Sequence, residues 1–155
     1  MDKVLLEILY TSELRDEVPA AEVGRLVEHA RRRNAEHGIT GALLFDGAQF
    51  CQVLEGPENA VARLMRRIEA DQRHRQVRRV HEAETDVRGF RSWYLGYVQM
   101  DDLGAIGRIA TLSAADAVAA FHELLPRIDF GLDGDPSRDS PRLSKRRGAG
   151  DDRQA

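Results

Sequence analysis

The stretch ITGALLFDGAQFCQVLEG, residues 39–56, decides the fold. Residues 39–45 and 49–55 are two runs of strand length that are rich in apolar residues, and the second also carries Gln49, Gln52 and Glu55. Asp46 and Gly47, which lie between the two runs, are a strong signal for a tight turn between antiparallel strands. The stretch therefore predicts a β-hairpin in the middle of the first 100 residues.

The residues on both sides of the hairpin alternate between strand and helix periods. Residues 4–10, 77–85 and 92–100 read as further strands. Two helices, the second over residues 58–74, carry apolar residues at i, i+3, i+4 and i+7: Val23, Leu26, Val27 and Ala30 in the first, and Val61, Leu64, Met65 and Ile68 in the second. This order predicts a ferredoxin-like α+β fold, βαββαβ with an additional strand. We expect a five-stranded mixed sheet with the third strand beside the first and both helices on one face.

The chain after residue 100 is predicted to be an appendage to a domain of residues 1–100. Residues 101–111 are weakly helical, and Ser113 with Asp116 resembles a capping box at the start of another helix. We expect segment 101–130 to form C-terminal helices that pack on the bare sheet face and carry the output. Residues 131–155 combine Gly, Pro, Ser and mixed charge, which predicts a disordered tail.

Composition limits the classes of function. The 155 residues are 42% hydrophobic and 32% charged, which is typical of one globular domain. With 23 basic and 26 acidic side chains there is no overall basic field for nucleic acid, and no apolar stretch is long enough for a membrane span. The single cysteine, Cys51, excludes a disulfide framework. We see no signal peptide and expect a cytoplasmic protein.

Motifs of common enzymes are missing from the sequence. It contains no G-x-x-x-x-G-K-[ST], G-x-G-x-x-G or G-x-S-x-G pattern. The five histidines lack a metal-ligand spacing, and no pair of carboxylates is singled out for acid–base work. We therefore predict neither a metal site nor an enzyme.

Three polar side chains interrupt apolar faces of the predicted elements. Tyr10 lies on the apolar face of the first strand, Gln52 lies between two apolar residues of the third, and Asn34 lies on the buried stripe of the first helix. The three could form a satisfied polar network inside the core. Alternatively, a phenol and two amides with apolar walls suit a planar ligand with hydrogen-bonding edges.

A charged cluster lies at the end of the predicted second helix. Arg67 and Asp71 are i, i+4 neighbours, and His74 follows one turn later. The pair is either a surface ion pair of little energy or an arginine that a carboxylate holds for binding phosphate. Spacing alone favours the surface pair.

Short motifs containing these residues follow one another in a specific order between residues 4 and 100. They are Leu9-Tyr10-Thr11-Ser12, Asn34 six residues before Thr40 in Gly38-Ile39-Thr40-Gly41, FCQVLEG at residues 50–56, Asp71-x-x-His74, and Phe90-x-x-Trp93. Each fragment is weak alone, but the ordered set is specific. It resembles the BLUF family of flavin-dependent blue-light sensors, in the form of a short stand-alone domain.

The resemblance implies that FAD lies between the two helices with the edge of its ring system facing the sheet. The cofactor-binding residues that it implies are Tyr10, Leu26, Asn34, Gln52, Arg67, Ile68, Asp71 and His74. Trp93 matches a tryptophan position of the family on the fifth strand, and it would relay the signal together with Leu95.

Three residues depart from the pattern of the family. Leu95 stands where many members have methionine, and leucine lacks the thioether acceptor. Ala30 replaces a frequent serine, and Arg33 replaces an amide or histidine. These differences bear on signal transmission and on the flavin spectrum more than on flavin binding.

The resemblance implies a blue-light photoreceptor. Tyr10 would donate an electron to the excited flavin while a proton moves through Gln52. The return of both would leave Gln52 rotated or tautomerised and shift the absorption to the red. The signal would pass to a homo-oligomer or to a separate downstream protein. Two alternatives stay open: a flavin-binding module without signalling, and a flavin-free ferredoxin-like regulatory or oligomerisation domain.

Overall fold

The structure is a computed structural model, and it describes residues 4–90, 94–100 and 104–125. Five strands are present in this part of the chain: β1 (Leu5–Leu14), β2 (Thr40–Phe45), β3 (Gln49–Pro57), β4 (His74–Thr85) and β5 (Gly96–Gln99). Four helices accompany them: α1 (Val23–His37), α2 (Glu58–Ala70), α3 (Ala105–Ala110) and α4 (Ala114–Leu124). A short 3₁₀ turn, Ala20–Glu22, precedes α1.

The strands form one five-stranded sheet in the order β4-β1-β3-β2-β5. β1 pairs antiparallel with both β3 and β4, and β2 pairs antiparallel with β3. β5 joins the other side of β2 in parallel, which makes the sheet mixed. This arrangement confirms the ferredoxin-like prediction, including the additional strand and the place of β3 beside β1.

Alternating side chains of the strands face two different layers of helices. On one face, Ile8 and Leu54 pack with α2, and Leu43 packs with α1. On the other face, Leu9, Leu44, Cys51 and Val53 share a buried cluster with α3 and α4. The C-terminal helices therefore cover the face that α1 and α2 leave bare, as the sequence predicted.

The turn between β2 and β3 is built as its residues predict. Asp46 Oδ1 accepts hydrogen bonds from the backbone N–H groups of Ala48 and Gln49, at 2.9 and 2.7 Å, and Gly47 has φ +98°. Only glycine fits at position 41 in β2, because a Cβ there would lie 1.9 Å from the Val53 carbonyl oxygen. Local turn chemistry and close strand approach thus fix the hairpin.

A buried carboxylate connects β3 to the segment that follows β4. Glu55 is 1% exposed. Its Oε1 accepts hydrogen bonds from Thr40 Oγ1 at 3.0 Å and from the Phe90 N–H at 2.8 Å, and its Oε2 accepts one from the Gly89 N–H at 2.9 Å. Burial raises the pKa of this carboxyl above its ordinary value, while these three hydrogen bonds oppose the shift. Phe90 packs in turn against Phe121 of α4.

Several predicted boundaries were wrong: β1 extends to Leu14 instead of residue 10, and β4 begins at His74 instead of residue 77. α2 ends at Ala70 instead of residue 74, because Asp71 leaves the helix with φ −75° and ψ 125°. His74 therefore begins β4. The described part of the fifth strand starts at Gly96 instead of residue 92, whereas Trp93, with Ser92, lies outside the described residues, as does the predicted tail 131–155. The predicted cap of α4 is confirmed, since Ser113 accepts a hydrogen bond from the Asp116 N–H.

Candidate functional site

A cavity of about 390 Å³ opens between α1 and α2, with the sheet as its floor. Its volume lies in the range of small-molecule sites. Most of the predicted site residues line it: Tyr10, Leu26, Asn34, Gln52, Ile68, Asp71, His74 and Leu95. Arg67 is the exception among the described residues, because it lines a smaller neighbouring cleft with Arg33 and Arg63.

Tyr10 and Gln52 form the polar centre of the cavity floor. They are direct partners in the β1–β3 ladder, and the Tyr10 hydroxyl donates a hydrogen bond of 2.5 Å to Gln52 Oε1. Both residues are buried, at 5% and 6% exposure. Burial raises the pKa of Tyr10 well above its ordinary value, with smaller contributions from Cys51 and Asp71. Tyr10 is therefore a neutral phenol throughout the physiological range.

Two amides at the cavity have one unused polar group each. Gln52 Oε1 is taken by Tyr10, while its Nε2 has no hydrogen-bond partner in the described part of the chain. Asn34 Nδ2 donates to the Tyr94 oxygen at 2.7 Å, and its Oδ1 likewise has no partner among the described residues. Leaving a buried amide group without a hydrogen-bond partner costs free energy, so most such groups are paired. The cavity thus offers one donor and one acceptor to a ligand.

The walls of the cavity are apolar where they face each other. Leu26 projects from α1 and Ile68 from α2, and both side chains are half-buried. A flat ring between two aliphatic walls, with a polar edge towards the two amides, matches this arrangement. These residues therefore fit the isoalloxazine of a flavin.

The charged end of the cavity differs from its prediction. Asp71 binds Arg73 instead of Arg67: Arg73 Nη2 and Nε lie 2.7 and 3.0 Å from the two carboxylate oxygens. These hydrogen bonds, chiefly, lower the pKa of Asp71. Because α2 ends at Ala70, the i, i+4 geometry that the prediction needed does not exist. Arg73 lines the cavity and is the arginine that a carboxylate holds there.

His74 joins three elements at the same end. Its Nε2 lies 2.6 Å from the Ile68 carbonyl oxygen and its Nδ1 2.9 Å from Ser12 Oγ. A carbonyl only accepts, so Nε2 carries a hydrogen and donates it to the Ile68 oxygen, while Nδ1 pairs with the Ser12 hydroxyl. His74 therefore ties the start of β4 to β1 and to the last turn of α2.

The segment before β5 completes the cavity wall beside α1. Leu95 is 2% exposed and lines the cavity. Its carbonyl oxygen accepts hydrogen bonds from Arg31, a residue that the sequence analysis did not single out. Arg31 lies one turn before Asn34, on the same face of α1. The bonded group is a backbone carbonyl, which no sequence motif marks.

In the described ranges, no three His, Cys, Asp or Glu side chains are grouped so that they could hold a metal ion. None of the helices in the same ranges is long and apolar enough to cross a membrane.

The fold and the cavity define an α+β ligand-binding domain with a tyrosine–glutamine pair at its centre. The family model described as "Sensors of blue-light using FAD" matches residues 5–96. The chain therefore belongs to the BLUF family, a family of blue-light sensors whose cofactor is FAD. This result confirms the resemblance, the cofactor and the prediction of a blue-light sensor domain. It also sets aside the flavin-free alternative.

Curated relatives match over part of their length. The blue light- and temperature-regulated antirepressor BluF of Escherichia coli is 40% identical over 74 residues, which are 48% of this chain and 18% of the relative. The photoactivated adenylate cyclase subunit beta of Euglena gracilis is 38% identical over 95 residues, 61% of this chain and 11% of the relative. The chain thus spans less than a fifth of either protein in these matches.

Solved structures match over more of their length. The dark-state structure of BlrB, a BLUF protein, superposes with a TM-score of 0.68 and 30% identity, covering 81% of this chain and 97% of that one. The BLUF domain of BlrP1 gives a TM-score of 0.62 and 31% identity, covering 90% of this chain and 85% of that one. Both support the fold described above.

Proposed function

We propose that the cavity between α1 and α2 is the flavin site and that Tyr10 and Gln52 are its light-driven switch. The observation that carries the proposal is the 2.5 Å hydrogen bond from the Tyr10 hydroxyl to Gln52 Oε1. It lies at the cavity floor and leaves the Nε2 donor of the same glutamine for the ligand.

In this proposal, different residues of the cavity contact different parts of FAD. Asn34 and Gln52 bind the polar edge of the ring, and Leu26 and Ile68 pack on its faces. At the charged end Asp71 orients Arg73 towards the outer part of the cofactor, and His74 fixes the wall. We assign the arginine role to Arg73, because Arg67 faces the neighbouring cleft.

The bound flavin supplies the absorption of blue light and an oxidising excited state. Tyr10 is the electron donor, and burial determines how its proton behaves. A buried phenol is expensive to ionise alone, and an oxidised phenol is a strong acid. Its proton therefore leaves together with the electron, along the short bond to Gln52 Oε1. Both return to Tyr10, so no net oxidation or protonation remains.

In this proposal, the side-chain amide of Gln52 stays changed after the electron and the proton have returned to Tyr10. If its amide turns or tautomerises while the phenol is deprotonated, its oxygen and nitrogen present different donors and acceptors to both neighbours. The hydrogen bonding at the polar edge of the flavin then changes, and the absorption shifts to the red until the amide returns.

The signal leaves through β5 and the C-terminal helices. We propose that residues 1–100 form the sensor and that residues 101–130 are the output element. α3 and α4 support this division, since they pack on the sheet face opposite the cavity. The relatives are an antirepressor and a cyclase subunit by name. For this chain we propose a homo-oligomer or a separate cytoplasmic protein as the receiver, without nucleic acid or membrane contact.

An absorption spectrum tests the proposal. The purified protein is measured in darkness, after blue illumination and through recovery. A flavin spectrum that shifts to the red and returns supports the switch. A bound flavin without any shift contradicts it and leaves the alternative of a binding module without signalling. Limited proteolysis of segment 101–130 tests the output: cleavage should differ between dark and light.

A further inference from the structure

Arg31 and Asn34 lie one turn apart on α1, and both bind the backbone before β5. Nε and Nη2 of Arg31 donate to the Leu95 oxygen at 3.0 and 2.9 Å. Asn34 Nδ2 donates to the Tyr94 oxygen at 2.7 Å. Hydrogen bonds from a charged guanidinium are stronger than those between neutral groups, and two of them fix direction as well. The carbonyls of two consecutive residues are thus held by one face of α1.

The side chain of Leu95 is the point where the held segment contacts the cavity. It packs in one buried cluster with Val23, Val27, Leu43 and Phe45. Leu43 is the ladder partner of Gln52 on one side and of Tyr97 on the other. A single residue of β2 therefore separates the glutamine from the strand that Leu95 precedes.

We propose that Arg31 is a positioning residue that holds Leu95 against the cavity in the dark form and releases it when Gln52 rearranges. The proposal rests on the proposed Tyr10–Gln52 switch. The two bonds of Arg31 exist in the arrangement in which Tyr10 binds Gln52 Oε1. They stabilise that arrangement against others in which the segment has moved. When these two hydrogen bonds are lost, the dark form is less stabilised, and the return to it after illumination becomes slower.

The experiment compares four proteins: wild type, Arg31→Ala, Arg31→Lys and the control Arg32→Ala. Arg32 is exposed and makes no hydrogen bond or ion pair with the described residues. Hydrogen exchange of segment 94–100 is measured in the dark, and recovery after blue light is followed by absorption. In Arg31→Ala we expect faster exchange in this segment and recovery slowed about tenfold, which is about 1.4 kcal/mol on the barrier. Arg31→Lys replaces the two guanidinium donors with one ammonium group. Its exchange and recovery rates should therefore lie between those of the wild type and those of Arg31→Ala.

The size of the red shift should stay as in the wild type, because Tyr10 and Gln52 are unchanged. Exchange in β3 reports whether the variants remain folded as a whole. Exchange and recovery in Arg31→Ala equal to those in Arg32→Ala would overturn the role of Arg31. If the wild type itself shows no red shift, the Tyr10–Gln52 switch has failed. In that case, hydrogen exchange of segment 94–100 in the dark alone tests whether Arg31 holds this segment. Faster exchange in Arg31→Ala than in Arg32→Ala supports the role, and equal exchange overturns it.

Discussion

Tyr10 and Gln52 stand directly opposite each other on two central strands, and the phenol oxygen lies 2.5 Å from the amide oxygen. The backbone register, and not a flexible loop, therefore sets the geometry of this pair. A slip by one residue would turn either side chain to the other face of the sheet. The hydrogen bonds between β1 and β3 thus protect the short contact on which the proposed photochemistry depends.

Replacing Tyr10 with phenylalanine removes the hydroxyl and retains the ring. We expect Tyr10→Phe to bind flavin and to lose the reversible red shift, because neither the electron donor nor the proton is available. The cost in unfolding free energy should be about 1 kcal/mol, the typical worth of one hydrogen bond. Dark and light spectra, together with urea unfolding, measure both effects. A normal red shift in this variant would remove Tyr10 from the mechanism.

Replacing Gln52 with leucine removes both polar groups of the amide at similar volume. We expect Gln52→Leu to hold flavin without a light-minus-dark difference, since no amide can turn. The Tyr10 hydroxyl is left without its acceptor, which should cost about 1–3 kcal/mol of stability. The matched control is Gln72→Leu, at an exposed position beyond α2. A difference spectrum like that of the wild type would contradict the switch.

Arg73 and Arg67 distinguish the two assignments of the arginine. We expect Arg73→Ala to weaken FAD binding about fivefold, a modest effect because the ion pair is partly exposed to solvent. Riboflavin, which has no phosphate, should bind this variant as it binds the wild type. Arg67→Ala should change neither affinity. Flavin fluorescence titrations measure all three proteins, and a larger loss in Arg67→Ala than in Arg73→Ala would reverse the assignment.

The hydrogen bonds of buried Glu55 should make a measurable contribution to the stability of the fold. Glu55→Ala leaves the Thr40 hydroxyl and the N–H groups of Gly89 and Phe90 without their acceptor, at a cost of about 3 kcal/mol. Glu55→Gln keeps one acceptor oxygen and should lose less.

The sign of the pH dependence follows from the raised pKa of Glu55. The folded state keeps this proton to a higher pH than the unfolded state does. The contribution of Glu55 to stability therefore declines as pH rises above the ordinary carboxyl range. Glu55→Gln cannot ionise and should flatten that part of the curve. Urea unfolding across mildly acidic pH measures it, and parallel curves for wild type and Glu55→Gln would contradict the assignment.

The predictable parts of the fold are those whose chemistry is local. Asp46 and Gly47 carry their own turn geometry, and the spacing of Val23 and Val27 on α1 indicates the buried face directly. The sequence predicted β1 beside β3 with Tyr10 and Gln52 on apolar faces, whereas the register that makes them direct partners is seen only in the structure.

The residue at which α2 ends could not be predicted from local sequence chemistry. Asp71 had two candidate partners, one four residues before it and one two residues after it, and the choice depends on where the helix stops. Once Asp71 adopts an extended backbone, Arg73 is the nearer cation. The role of Arg31 was hidden for a different reason: its acceptor is a backbone oxygen 64 residues away.

The sheet is a partition only one chain thick. Gln52 faces the cavity, while its neighbours Cys51 and Val53 on the same strand face the layer that contains α3 and α4. A twist of the β3 backbone that follows the turning amide would tilt all three side chains together, in opposite directions on the two faces. In the proposed switch, a change at Gln52 then has to cross only the thickness of the sheet to reach α3 and α4, the described part of the proposed output element.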